Sequence, residues 1–275
     1  PSLCDSLKVV GENWKYAVPS IPFIPMTYPQ NRKPDFAADF IRSGYERVIA
    51  DLEKATGLKY SADQLADSIK VYNQHNAVMR KLSDVLAQHP EVTTAQRSDI
   101  FKSAWFMLKE EHTALVQELI QQLEAQNPSN IGVPVVVTGI LTDAPGLTSL
   151  FDEFGLRVVA DDVAAESRQY RTDASTDGDP MECLINKFRN LDNCSVLYDP
   201  DKKRIPMIVD LAKQHGAKGI IFVLTKFCDP EEFDYPLLKK ACEAAGMPLV
   251  SIEADRQMVN YEQARTLLET FVEML

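Results

Sequence analysis

The sequence predicts an α/β fold in which a Rossmann-like, parallel four-stranded C-terminal domain is preceded by a helical region. Two observations carry this. Four short apolar, β-branched-rich runs, VPVVVTG (133–139), RVVADD (157–162), IIFVL (220–224) and PLVSIEAD (248–255), alternate with helical patterns. Such runs suit parallel strands covered on both faces, and strand–helix alternation gives a parallel sheet. Residues 33–126, by contrast, hold no such run and read in helical period throughout.

Taken in order, PSLCDSLKVVGENWKYAVP (1–19) reads as a loop carrying Cys4 and then a short helix through Trp14, and SIPFIPMTYP (20–29) is a proline-rich extended connector. Phe36, Phe40, Ile41, Val48 and Leu52 recur at helical spacing, with Gly57 as the stop. Ser61 and Gln64 form a capping-box pattern for a helix bearing Leu65, Ile69, Tyr72, Met79, Leu82 and Leu86 and closed by Pro90. One further helix is expected from about Thr94 to Gln126. After the first strand, Pro145 and Gly155 bracket a short helix. Asp179, Pro180 and Glu182 start another. Helices near 203–215 and 236–245 stop at Gly216 and Gly246, and 261–274 is a final amphipathic helix. No glycine-rich phosphate loop follows any strand, so the dinucleotide fingerprint is absent.

The net charge of −11 opposes a surface built for nucleic acid. No apolar run approaches the ~20 residues of a membrane helix. The cysteines, Cys4, Cys183, Cys194, Cys228 and Cys242, are sparse and lack close pairs. A disulfide scaffold is therefore not expected, and a reducing, cytoplasmic setting is.

Cys228 follows the apolar run Ile220–Leu224 after Thr225, Lys226 and Phe227, at the edge where ligands bind in open α/β sheets. A nucleophilic role needs a nearby base. His75, His89 and His112 lie in the helical region and His215 at a helix C-terminus, so that pairing is poorly supported. Thiolate ligation of a soft metal centre is the other reading, and it needs more than one cysteine. Lys226 would help hold a thiolate or an anionic ligand. Cys183 and Cys242 fall at core-like helical positions, and Cys194 follows an Asp-Asn turn. Asp161, Asp162, Glu253 and Asp255 at strand ends read as caps or solvated groups, and Arg168 and Arg171 as ordinary surface arginines.

Three stretches carry a resemblance. TKFCDPEEFDYPLLKKACEAAGMPLVSIEAD (225–255) with EQARTLLETFVEML (262–275), SLCDSLKVVGENW (2–14), and PVVVTGILTDAPGLTSLFDEFGLRVVADDVAAESRQY (134–170) together resemble the 2-hydroxyacyl-CoA dehydratase / benzoyl-CoA reductase family over nearly the whole chain. The KFCDPE form is more similar to the β-type than the α-type subunit. Departures such as Leu267 and Thr225 leave the branch open.

The resemblance implies an iron–sulfur subunit, a lyase, that eliminates water from an (R)-2-hydroxyacyl-CoA to give an enoyl-CoA through a one-electron ketyl radical. It implies an iron–sulfur cluster, commonly [4Fe–4S], with Cys4 and Cys228 as the second and third ligands and the first expected upstream of Pro1. The partners implied are a homologous α-type subunit in a heterodimer, an ATP-dependent activator iron–sulfur protein and the acyl-CoA. On this reading 1–19 is a remnant of a truncated N-terminal α/β domain, 20–128 a helical region and 129–275 the Rossmann-like domain. The alternatives are a benzoyl-CoA reductase subunit and a non-catalytic α/β assembly or binding protein without a cluster.

Overall fold

The computed structural model describes residues 5–275, with side chains from Lys8 onward. The chain forms two compact units, residues 1–70 with 173–200 and residues 71–172 with 201–275.

The second unit holds the sheet. Its strands are β1 (Val133–Gly139), β2 (Leu156–Val163), β3 (Gly219–Thr225) and β4 (Leu249–Ala254), ordered β2-β1-β3-β4. All pairings are parallel, as the sequence predicts. The continuous apolar character of these strands is explained by burial on both sides. On one face Val135, Val137, Ile221 and Val223 pack with Leu147, Phe151, Leu268 and Phe271. On the other, Val136, Ile220 and Phe222 pack with Ile208, Leu238 and Cys242. The two sets follow the alternation of strand side chains. At the end of β1, Gly139 lies so close to β3 that a Cβ would sit 2.3 Å from the Val223 carbonyl oxygen.

The helices of the chain are α1 (Asp5–Ala17), α2 (Asp35–Thr56), α3 (Ala62–Leu86), α4 (Thr94–Ser103), α5 (Lys109–Glu124), α6 (Pro145–Glu153), α7 (Pro180–Arg189), α8 (Arg204–Gln214), α9 (Asp229–Ala245) and α10 (Glu262–Glu273). Gly57 ends α2 in the left-handed conformation, and Asp179 caps α7 through its side chain on Glu182 N. Two expectations are corrected. The single helix over 94–126 is broken at Ala104–Leu108, where Trp105 and Phe106 face solvent. The helix expected near 236 starts at Asp229, with Pro230 in its first turn and Pro236 inside it. In the second unit Met79, Leu82, Phe101, Val116 and Ile120 form a helical core.

In the first unit α2 packs on α7 through Ile41, Tyr45, Met181, Ile185 and Phe188. Tyr28 from the connector stacks on Phe188 with ring centroids 4.3 Å apart. Arg32 is buried there, bonded to Asp192 at 2.6 Å. Among the described residues no helix is long and apolar enough to cross a membrane.

Candidate functional site

Strand order alone selects one edge of the sheet. β1 continues to β2 on one side and β3 to β4 on the other, so the chain switches direction between β1 and β3. Ligand crevices form beyond the carboxyl ends of the strands at such a point. Here the segments leaving β1 (residues 140–144) and β3 (residues 226–228) frame it.

A crevice with two adjoining lobes opens at this edge. One, of about 290 Å³, is lined by Pro145, Thr225, Ala254 and Tyr261. The other, of about 380 Å³, is lined by Phe101, Trp105, Phe106, Thr142 and Glu166. Lys102, Leu141, Asp143 and Arg256 line both. Asp143 is paired with Lys102 at 2.8 Å and faces Arg256 at 3.7 Å. The hydroxyl of Thr225 is buried with no hydrogen-bond partner among the described residues. An apolar, aromatic-walled cleft with a few convergent polar groups is the usual form of a small-molecule site.

Cys228 stands at the same strand end, half-buried, as the residue preceding α9. Its N–H donates to Thr225 O at 3.0 Å, and its carbonyl accepts from the N–H groups of Glu231 and Glu232, each at 3.0 Å. Phe227 before it is left-handed at φ +65° with an exposed ring. Lys226 is engaged otherwise than expected: its ammonium lies 3.6 Å from Glu253. Asp255 caps its own turn by accepting from Gln257 N at 2.9 Å.

Cys4 lies outside the described residues. Cys183 is buried and its thiol lies 3.2 Å from Asp177 O. Cys242 is sealed in the core, where burial pushes its thiol up to about 11. Cys194 packs at the margin of the apolar cluster of the first unit. Of the histidines, His75 pairs with His112 at 3.0 Å and His89 with Glu91 at 2.7 Å, while His215 is exposed at the end of α8. Among the described residues no group of three or more His, Cys, Asp or Glu could hold a metal ion. Cys228 nonetheless fits a cluster ligand in kind: a soft sulfur donor, partly exposed, on a turn fixed by backbone hydrogen bonds.

Behind the turn lies a buried charge network that the sequence reading missed. Asp161 and Asp162 are 4% and 0% exposed, neither solvated nor helix caps. Arg204, at the first position of α8, gives Nε to Asp162 (2.7 Å) and one terminal nitrogen to Asp234 (3.0 Å). Its other terminal nitrogen reaches Thr138 Oγ1 (2.8 Å) and Glu231 (3.1 Å). Arg168 and Arg171, read as surface residues, also bond Asp162, at 3.0 and 2.6 Å. Lys202 pairs with Asp234 at 2.8 Å. Burial pushes the Asp162 carboxyl up, but the guanidiniums of Arg168, Arg204 and Arg171 together bring it down to about 2. Burial would lower Arg204, yet Asp162, Glu231 and Asp234 raise it. Beside this set, Arg97 binds Asp161 at 2.5 Å and lies 3.3 Å from Glu166. Burial first, and then the charge of Asp161, hold Glu166 above the ordinary carboxylate range against the pull of Arg97. The one available signal was an acidic pair closing an otherwise apolar strand.

An all-parallel four-stranded sheet with helices on both faces defines the class as a Rossmann-like α/β fold. The chain belongs to the 2-hydroxyglutaryl-CoA dehydratase, D-component family, whose model matches residues 1–275. It is 46% identical to the (R)-phenyllactyl-CoA dehydratase beta subunit of Clostridium sporogenes, over 99% of this chain and 73% of that one. It is 42% identical to lactoyl-CoA dehydratase subunit beta of Anaerotignum propionicum, with the same two shares covered. Identity to (R)-2-hydroxyglutaryl-CoA dehydratase subunit beta of Acidaminococcus fermentans is 36%, over 100% of this chain and 74% of that one.

Proposed function

We propose that this chain is the β-type iron–sulfur subunit of an (R)-2-hydroxyacyl-CoA dehydratase, a lyase, with Cys4 and Cys228 as thiolate ligands to a [4Fe–4S] cluster. Family membership over all of the chain, and relatives named as beta subunits of such dehydratases, support the dehydratase assignment. The observation that carries the cluster reading is Cys228, presented on a hydrogen-bonded turn at the carboxyl end of β3 beside the crevice.

Held by Cys4 and Cys228, a cluster of this kind would supply the single electrons for a radical elimination of water from the acyl-CoA thioester. The chain's own residues do the positioning. Cys228 stands three residues beyond Thr225, which lines the crevice, and the buried network fixes the first turns of α9 behind it. The proposed partners are a homologous α-type subunit, which completes a heterodimer, and an ATP-dependent activator that delivers the electron, all in the cytoplasm.

The test is anaerobic purification of the assembled enzyme, with iron and sulfide counted and turnover assayed on a 2-hydroxyacyl-CoA and on an aryl-CoA. Cys228→Ala is expected to remove most of the iron assigned to this subunit and to change the EPR spectrum. Full iron retention in that variant would sink the ligand assignment. Aryl-ring reduction would move the chain to the reductase branch, and an iron-free wild-type subunit would make it an assembly protein.

A further inference from the structure

We propose that Arg204, with Glu231 and Asp234, clamps the turn that carries Cys228, which makes Arg204 a positioning residue for that thiol. The inference rests on the ligand reading only for its purpose; the clamp itself is a statement about the turn.

The turn is pinned to the sheet by its backbone, Lys226 N–H donating to Ala254 O at 2.9 Å and Cys228 N–H to Thr225 O at 3.0 Å, yet it carries a strained residue. Phe227 occupies the left-handed region at φ +65°, where a residue with a Cβ is strained, and its ring is 79% exposed. Strain of that kind persists only where the surroundings over-determine it. A second restraint comes from behind. Glu231 and Asp234 lie in the first two turns of α9 and are 0% and 1% exposed, although acidic side chains on a helix start ordinarily face water. Both end on one guanidinium, itself 2% exposed. The same guanidinium reaches Thr138 on β1 and Asp162 on β2. One planar fork thus ties three elements at fixed angles, which a lysine with its single ammonium cannot reproduce. Because the Cys228 carbonyl accepts the Glu231 and Glu232 amides, any shift of the first turn of α9 carries Cys228 with it.

Stability alone does not account for such a device. Well-packed apolar residues commonly replace a buried ion network with no loss of stability. What an ion network adds is direction, and a metal ligand needs its donor held to about 0.5 Å.

The experiment measures hydrogen exchange peptide by peptide in the assembled enzyme, before and after iron is removed by a chelator. The variants are Arg204→Lys, which keeps the charge and loses the fork, and Glu231→Gln, with Arg265→Gln as a control for loss of a surface ion pair. Both clamp variants are expected to speed exchange over residues 225–235 by about tenfold or more beyond any rise over β1 and β3. In the iron-bound form they are expected to shift the EPR line shape; the control changes neither. Unchanged exchange over 225–235, or a rise shared equally by β1 and β3, overturns the clamp. Iron retained in Cys228→Ala alongside selective loosening of 225–235 would instead remove the ligand reading and leave the clamp standing.

Discussion

The carboxyl edge of the sheet and the helical core beside it each bury several polar side chains, and they satisfy them in opposite ways. At the edge, charge is matched against charge: Asp162, Glu231 and Asp234 converge on Arg204, with Arg168, Arg171 and Lys202 around them. At the histidine pair of the helical core, charge is avoided. His112 Nε2 donates to the Ile100 carbonyl (3.1 Å), which leaves its Nδ1 to accept from His75 Nε2 at 3.0 Å. Burial, and then the neighbouring Lys109, lower both imidazoles, His75 to about 4, so both are neutral at pH 7. The edge therefore depends on every charge being present, and the helical core on protons staying away.

Deleting the hub tests that contrast hardest. Arg204→Met leaves Asp162, Glu231 and Asp234 without their shared cation, and removing one partner from a buried ion network costs about 3–5 kcal/mol. The expected result is a large drop in the urea midpoint, with m unchanged. A loss under about 1 kcal/mol would mean that water reaches the network and screens it.

The sheet was legible because its two inner strands, β1 and β3, are buried apolar runs, whose signal does not depend on neighbours; β1 matches the run VPVVVTG residue for residue. The break between α4 and α5 was not, because Trp105, Phe106 and Leu108 continue the apolar pattern and neither glycine nor proline marks the turn. The start of α9 was hidden for a different reason. A helix was expected only from about 236, whereas the buried ion pairs of Glu231 and Asp234 anchor two turns ahead of it. That tertiary contact is invisible to local propensity. Cys228 was legible by its place after β3, while Arg204 was not, since one arginine opening a helix looks like any other.

Acid separates the two regions along the pH axis. The unfolded chain protonates His75 near its ordinary 6.5, and the folded chain resists until about 4. Between those values the unfolded state binds more protons, so stability falls as pH drops through that window, by on the order of 2 kcal/mol for one such group. Asp162 has its folded value depressed from 3.8 to about 2, so its contribution is intact above 3.8 and is lost only toward 2. Urea midpoints taken from pH 7 to pH 4 are expected to decline in the wild type and to decline less in His75→Gln. Equal slopes for the two would show that the histidine pair carries no proton linkage.

The smallest effect concerns the strained turn itself. Phe227 at φ +65° has a mostly exposed ring, so Phe227→Gly gives up little packing and relieves a left-handed residue. Relief of αL strain favours glycine by roughly 1 kcal/mol, while the greater freedom of glycine in the unfolded chain takes back a similar amount. The net change in midpoint is expected to stay within about 0.5 kcal/mol. If the edge is held from behind by charge, the variant keeps Cys228 in place and hydrogen exchange over 225–235 is unchanged. If instead the phenylalanine wedges the turn, exchange there accelerates with no change in global stability, and the restraint on Cys228 would have to be assigned to the front of the turn as well as to Arg204.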